Sequence, residues 1–136
     1  MSSKHTNALK ALIATVPHLE GKVFTTEAVR GTSLPYVVVH PANGVNSQER
    51  VTGPRSSKHP EFTLHVVGYS GDEVQDYTDA IEEVLFPGGR GVSIDVPGEK
   101  GRPLSFAQPT PVQLQTDPQP SIAFAVVEVG WRSDPV

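Results

Sequence analysis

The chain has 136 residues, with 12 Gly, 13 Pro, no Cys and a net charge of −4. That length supports one domain around one core, and the missing Cys excludes a disulfide framework, a thiol nucleophile and a thiolate metal site, which suits a reducing compartment. No apolar run approaches the ~18–20 residues of a membrane span, and the N-terminal MSSKHTNALKALIATV lacks the small-residue cleavage site expected of a secretory signal.

Residues 3–16 are expected to form a helix. Leu9, Leu12, Ile13 and Val16 make one apolar stripe at helical spacing. Ser2, Ser3 and Thr6 are available caps, and Pro17 stops the run. Val23–Thr26 reads as a short strand after the Glu20-Gly21 turn. Tyr36–His40 is β-branched and aromatic, and Pro41 ends it. Its continuous apolarity predicts cover on both faces. The polar stretch PANGVNSQERVTGPRSS over 41–57 is long for a connection, so it is either functional or disordered. It carries Arg50 and Arg55, with Lys58 just beyond.

Glu61–Tyr69 alternates, with Phe62, Leu64 and Val66 on one face and Thr63, His65 and Val67 on the other. It is predicted to pair antiparallel with 36–40. Residues 71–86 are the clearest helix. Val74, Tyr77, Ile81, Val84 and Leu85 form its buried stripe. Ser70 or Asp72 caps it, and Pro87-Gly88-Gly89 terminates it. Its outer face is Asp76, Asp79, Glu82 and Glu83, with no basic residue to balance them.

Twelve of the 25 Gly and Pro residues fall between Pro87 and Pro120, so turns concentrate there and 87–111 reads as an excursion. Val92–Val96 and Val112–Thr116 read as strands within it. The second forms a hairpin with a long strand, Ile122–Arg132, around Asp117-Pro118. Helix, strand pair, helix, strand pair predicts a single α+β domain over 1–136. Its antiparallel sheet carries both main helices on one face.

No motif for catalysis, metal or cofactor emerges. Five His include no i, i+3 or i+4 pair and no HExxH. His40 and His65 become neighbours if their strands pair. Without a nearby carboxylate ligand they read as ordinary sheet histidines. Gly88-Gly89-Arg90-Gly91-Val92-Ser93 follows a helix and lacks the Lys of a phosphate loop. No GxSxG is present. The carboxylates of helix 71–86 share a solvent face rather than a cleft, so they serve solvation or contact with a basic partner. Charge is uneven along the chain: residues 1–60 carry seven Lys/Arg against three Asp/Glu, and residues 61–136 carry four against twelve. Such a split suits head-to-tail association of copies, or is merely uneven solvated charge.

The elements together resemble a family. A short helix (ALKALIATVP) leads to a Leu-Pro-Tyr-Val-Val-Val strand and then a long polar loop. An EFTLHVVGYS strand, a helix opening Gly-Asp-Glu and a late closing strand follow. From Leu9 to Trp131 this resembles the tail terminator (tail completion, or tail-to-head joining) proteins of long-tailed bacteriophages. The resemblance implies a small α+β domain with an antiparallel sheet and flanking helices. It implies a homo-hexameric ring on the head-proximal end of the tail tube, which ends tube growth and docks the head connector. The implied partners are further copies, the major tail tube protein and a head–tail connector or stopper protein. Double-stranded DNA passes through the lumen, and no membrane is involved. The implied location is the virion, after assembly in the host bacterial cytoplasm. No catalytic residue, cofactor or metal carries over. In such rings the long loop tends to face the channel or a neighbouring ring, which maps onto Asn43–Lys58 with Arg50, Arg55 and Lys58. The acidic face of Asp76, Asp79, Glu82 and Glu83 is then expected to meet basic residues of the next subunit or ring. Alternatives are another neck component, or a small cytoplasmic enzyme or ligand-binding domain.

Overall fold

The computed structural model describes residues 3–29, 31–42, 58–115 and 122–135. In chain order the elements are α1 (Ser3–Ile13), β1 (Val23–Thr25), β2 (Tyr36–Ala42), β3 (Glu61–Gly68) and α2 (Gly71–Leu85). A 3₁₀ turn (Pro87–Gly89) follows. Then come β4 (Glu99–Gly101), β5 (Ser105–Ala107), β6 (Gln113–Gln115), β7 (Ile122–Gly130) and β8 (Ser133–Pro135).

Alternation in β3 and β7 decides the layers. Phe62, Leu64 and Val66 join Ala123, Ala125, Val127 and Val129 in one buried cluster. Leu9 and Ile13 of α1 and Val74, Ile81 and Leu85 of α2 close that cluster from above. α2 lies across β3 and β7, while α1 packs on β1 and β2 beside it. Both helices therefore cover one face of the sheet, as the element order predicts. Fully burying each such aliphatic side chain stabilises the fold by about 1.5–3 kcal/mol.

The sheet runs β1-β2-β3-β7-β5, with β6 also paired to β7. β2–β3 and β3–β7 are antiparallel, and Val38 faces His65, which faces Val126. The predicted hairpin of β6 on β7 is present, with Leu114 opposite Ala123. Its turn lies outside the described residues. One pair departs from an all-antiparallel sheet: β1 lies parallel to β2, with Phe24 opposite Val38. β2 therefore runs in the same direction as β1. The Thr26 and Val37 N–H groups donate to the carbonyls of Val39 and Lys22, at 2.8 and 3.0 Å.

Four boundaries differ from expectation. Pro41 does not end β2, which runs on to Ala42 with Pro41 opposite Phe62 and Ala42 opposite Glu61. The α-helical part of α1 stops at Ile13, and tighter i+3 bonds carry the chain to Val16. Val92–Val96 is not a strand. Ile94 and Val96 are buried at alternate positions, but only Ser93 bridges, to Pro103. Proline at 103 has no N–H to extend a ladder. The last strand divides at Trp131, and Ser133–Pro135 pairs with β4 in a separate two-stranded sheet.

α2 begins where Ser70 takes extended dihedrals and its Oγ accepts the Glu73 N–H at 3.2 Å. Thr78, rather than Tyr77, is fully buried in its stripe. Its hydroxyl donates to the Val74 carbonyl at 2.8 Å, so it enters the core satisfied. Ser70→Ala removes the cap and is expected to cost about 1 kcal/mol, read as a lower urea midpoint at unchanged slope.

Candidate functional site

The outer face of α2 is as the sequence predicts. Asp76, Asp79, Glu82 and Glu83 are all exposed. Asp79 accepts a hydrogen bond from Gln75 at 2.8 Å, and among the described residues none of the four forms an ion pair. The first turn adds Asp72 and Glu73, and the last turn holds no basic residue. The face is thus a continuous negative surface without an internal counter-charge.

Arg50 and Arg55 lie outside the described residues. Lys58 is described, and it is built into a junction. Its N–H and carbonyl pair with Ser133 at 2.9 and 2.8 Å, and its ammonium lies 3.6 Å from Glu99 Oε2. The other carboxylate oxygen of Glu99 faces His5 Nε2 at 3.1 Å and accepts from Ser133 Oγ at 2.9 Å. Glu99 therefore joins α1, β8 and the chain beyond the 43–57 stretch. Sequence reasoning missed this cluster, because its members are 34 and 94 residues apart.

A hydroxyl, a carboxylate and an imidazole together suggest nucleophilic chemistry, but the order is wrong for it. Ser133 donates to the Glu99 carboxylate rather than to the imidazole, so the imidazole is not placed to draw its proton as a triad's general base does. His5 is fully buried beside Trp131, and among the described residues its Nδ1 has no hydrogen-bond partner. The cluster binds elements together.

Burial alone raises the Glu99 carboxyl. The Ser133 hydrogen bond and the charges of His5 and Lys58 outweigh it, leaving Glu99 below its ordinary 4.5. A depressed carboxylate contributes stability at pH above its unfolded value, and that contribution is lost as pH falls through the folded value. The difference in unfolding free energy between wild type and Glu99→Gln is therefore expected to shrink below about pH 4.5. A gap unchanged from pH 7 down to 3 would contradict this assignment of Glu99.

Among the described residues no helix covers the sheet's second face. Tyr36, Val38, His40, His65, Val67, Ile122 and Phe124 line an open groove of about 360 Å³ there, with Thr26, Glu27, Ala28 and Gln115 at its sides. Val38 of β2 and Val67 of β3 are buried even here, at 8% and 6% exposure, but Tyr36 and His40 on the same face of β2 are only half-buried, so the cover on both faces that its apolar run predicts holds only at the strand's centre. His40 and His65 meet, with ring centres 4.7 Å apart. Burial, and then the charge of His40, lowers the pKa of His65 below 6.5.

No protein-family profile and no curated sequence matches the chain. Solved structures do. The fold is that of a chain in the virion of a native gene transfer agent particle. That likeness has a TM-score of 0.55 at 12% identity and covers 93% of this chain and 84% of that one. A second solved chain, without a functional description, aligns at TM-score 0.56 and 14% identity, over 98% of this chain and 92% of that one. At such identities the likeness shows a shared fold. It spans nearly the whole of each chain, so neither chain contains a large unit foreign to the other.

Proposed function

We propose that this chain is a structural virion protein, a tail terminator that forms a ring on the head-proximal end of a phage tail tube. The ring ends tube polymerisation and presents the surface on which the head connector docks, while DNA passes through its lumen. The observation that carries this reading is the near full-length fold likeness to a chain of a gene transfer agent virion. The order of elements from Leu9 to Trp131, which resembles the terminator family, supports it independently. The role is non-catalytic, and the Ser133–Glu99–His5 cluster is consistent with that. The acidic face of α2 suits contact between copies or between rings, because uncompensated charge on one copy needs a basic surface on another. Arg50 and Arg55 are the basic candidates for that contact, and Lys58, expected with them, is already paired with Glu99.

Deleting the gene from the particle that encodes it is expected to give overlong tubes without heads. Supplying the chain to polymerising tube protein is expected to stop growth, with ring-shaped caps visible by electron microscopy. Normal, head-bearing tails in its absence would refute the reading.

A further inference from the structure

We propose that His40 and His65 form a bis-imidazole site for a divalent transition-metal ion of the copper, nickel or zinc class on the open face of the sheet. The pairing of β2 with β3 creates the site. His40 stands opposite Thr63 in register, so His65 is its diagonal neighbour on the same face. Val39 and Leu64, the intervening residues of the two strands, are fully buried in the core beneath. The two imidazoles therefore project from a rigid floor, and their spacing is preorganised.

That spacing matches chelation. Imidazole nitrogens hold such ions at about 2.0–2.1 Å. The ring centre lies roughly 1.2 Å behind the ligating nitrogen, or about 3.2 Å from the ion. Two rings on one ion then have centres about 4.5 Å apart at a right angle and about 5.2 Å apart at the tetrahedral angle. The observed 4.7 Å falls inside that interval, and the 58° tilt distinguishes the pair from a flat stack. Among the described residues neither ring makes a hydrogen bond, so no competing partner occupies the ring nitrogens.

Among the described residues no group of three or more His, Cys, Asp or Glu is placed to hold a metal. The ion therefore has two protein ligands, and its remaining positions face the groove, open to water or to an oxygen or nitrogen donor from a docked molecule. Glu27 stands at the groove's side and adds negative potential there. With two imidazoles as the donors, affinity should follow nickel below copper, and copper above zinc.

Calorimetric titration of the full chain at pH 7.5 with nickel chloride, zinc chloride and copper sulfate tests the site. One saturable ion per chain is expected, and His40→Gln or His65→Gln should each weaken it about tenfold or more, at least the loss seen when an outer-sphere partner of a ligand is removed. His18→Gln, at an exposed position elsewhere, should leave it unchanged. Should a variant lower the melting temperature, copper electron paramagnetic resonance on wild type with ¹⁵N-labelled histidine gives the same answer without mutation, since two imidazole nitrogens must couple to the copper. No saturable binding, binding indifferent to both substitutions, or coupling to fewer than two imidazoles overturns the proposal. None of these readouts depends on ring assembly.

Discussion

Gly91→Ala is expected to destabilise the protein by about 3 kcal/mol or more, the upper range for forcing atoms into a packed interior. A Cβ at Gly91 would lie 1.8 Å from the Leu104 carbonyl oxygen and 2.6 Å from its nitrogen, both backbone atoms. No rotamer change relieves such a contact, so the chain at Leu104 must move. That movement breaks the 3.0 Å bond from the Leu104 N–H to the Val92 carbonyl. It also displaces Leu104, which is 3% exposed and part of the core. Gly98→Ala is the control. There a Cβ meets nothing within 4 Å and only the positive φ of 81° opposes it, for a cost of about 1 kcal/mol. Urea unfolding of the two variants separates close approach from backbone conformation. A Gly91→Ala midpoint equal to that of Gly98→Ala would contradict the close packing.

Reversing Asp79 and Glu82 to Lys is expected to abolish ring assembly while leaving the monomer as stable as wild type or slightly more so. The two effects have opposite signs, and that makes the test sharp. The last turn of α2 holds no basic residue, so Glu82→Lys gains about 0.3–1 kcal/mol from the macrodipole, which offsets the exposed hydrogen bond from Gln75 that Asp79→Lys gives up. Both side chains are exposed, so no core contact is lost. Against a neighbour's basic surface, however, like charges brought together cost several kcal/mol. Native mass spectrometry and tube-capping assays read assembly, and thermal melting reads the monomer. Rings that persist with the reversed face would show that α2 points away from the contacts. A melting temperature that collapses would show that α2 is needed for the fold instead.

The local elements were legible because periodicity is a local property. The stripes of α1 and α2, the alternation of β3 and the Ser70 cap are written within a few residues each, and each is found near where the pattern puts it, with Thr78 taking the fully buried place expected of Tyr77 and Val16 lying past the end of α1. The same holds for the acidic face, since residues three and four apart on a helix share a side. The 92–96 stretch shows the limit of pattern. Ile94 and Val96 alternate into the core as a strand would, but hydrogen-bond pairing depends on what lies alongside, and that is Pro103.

The sequence by itself determined the α+β class, the two-helix cover on one face, the antiparallel pairing of β2 with β3 and the uncompensated charge of α2. Only the tertiary structure decided the parallel entry of β1, the junction of His5, Lys58, Ser133 and Glu99, and the register that sets His40 and His65, which the sequence makes neighbours if their strands pair, 4.7 Å apart. These depend on contacts between residues far apart in the chain. Such contacts follow from strand order and register, which no single segment encodes, because every strand's apolar face can pack against any other until the whole core is assembled.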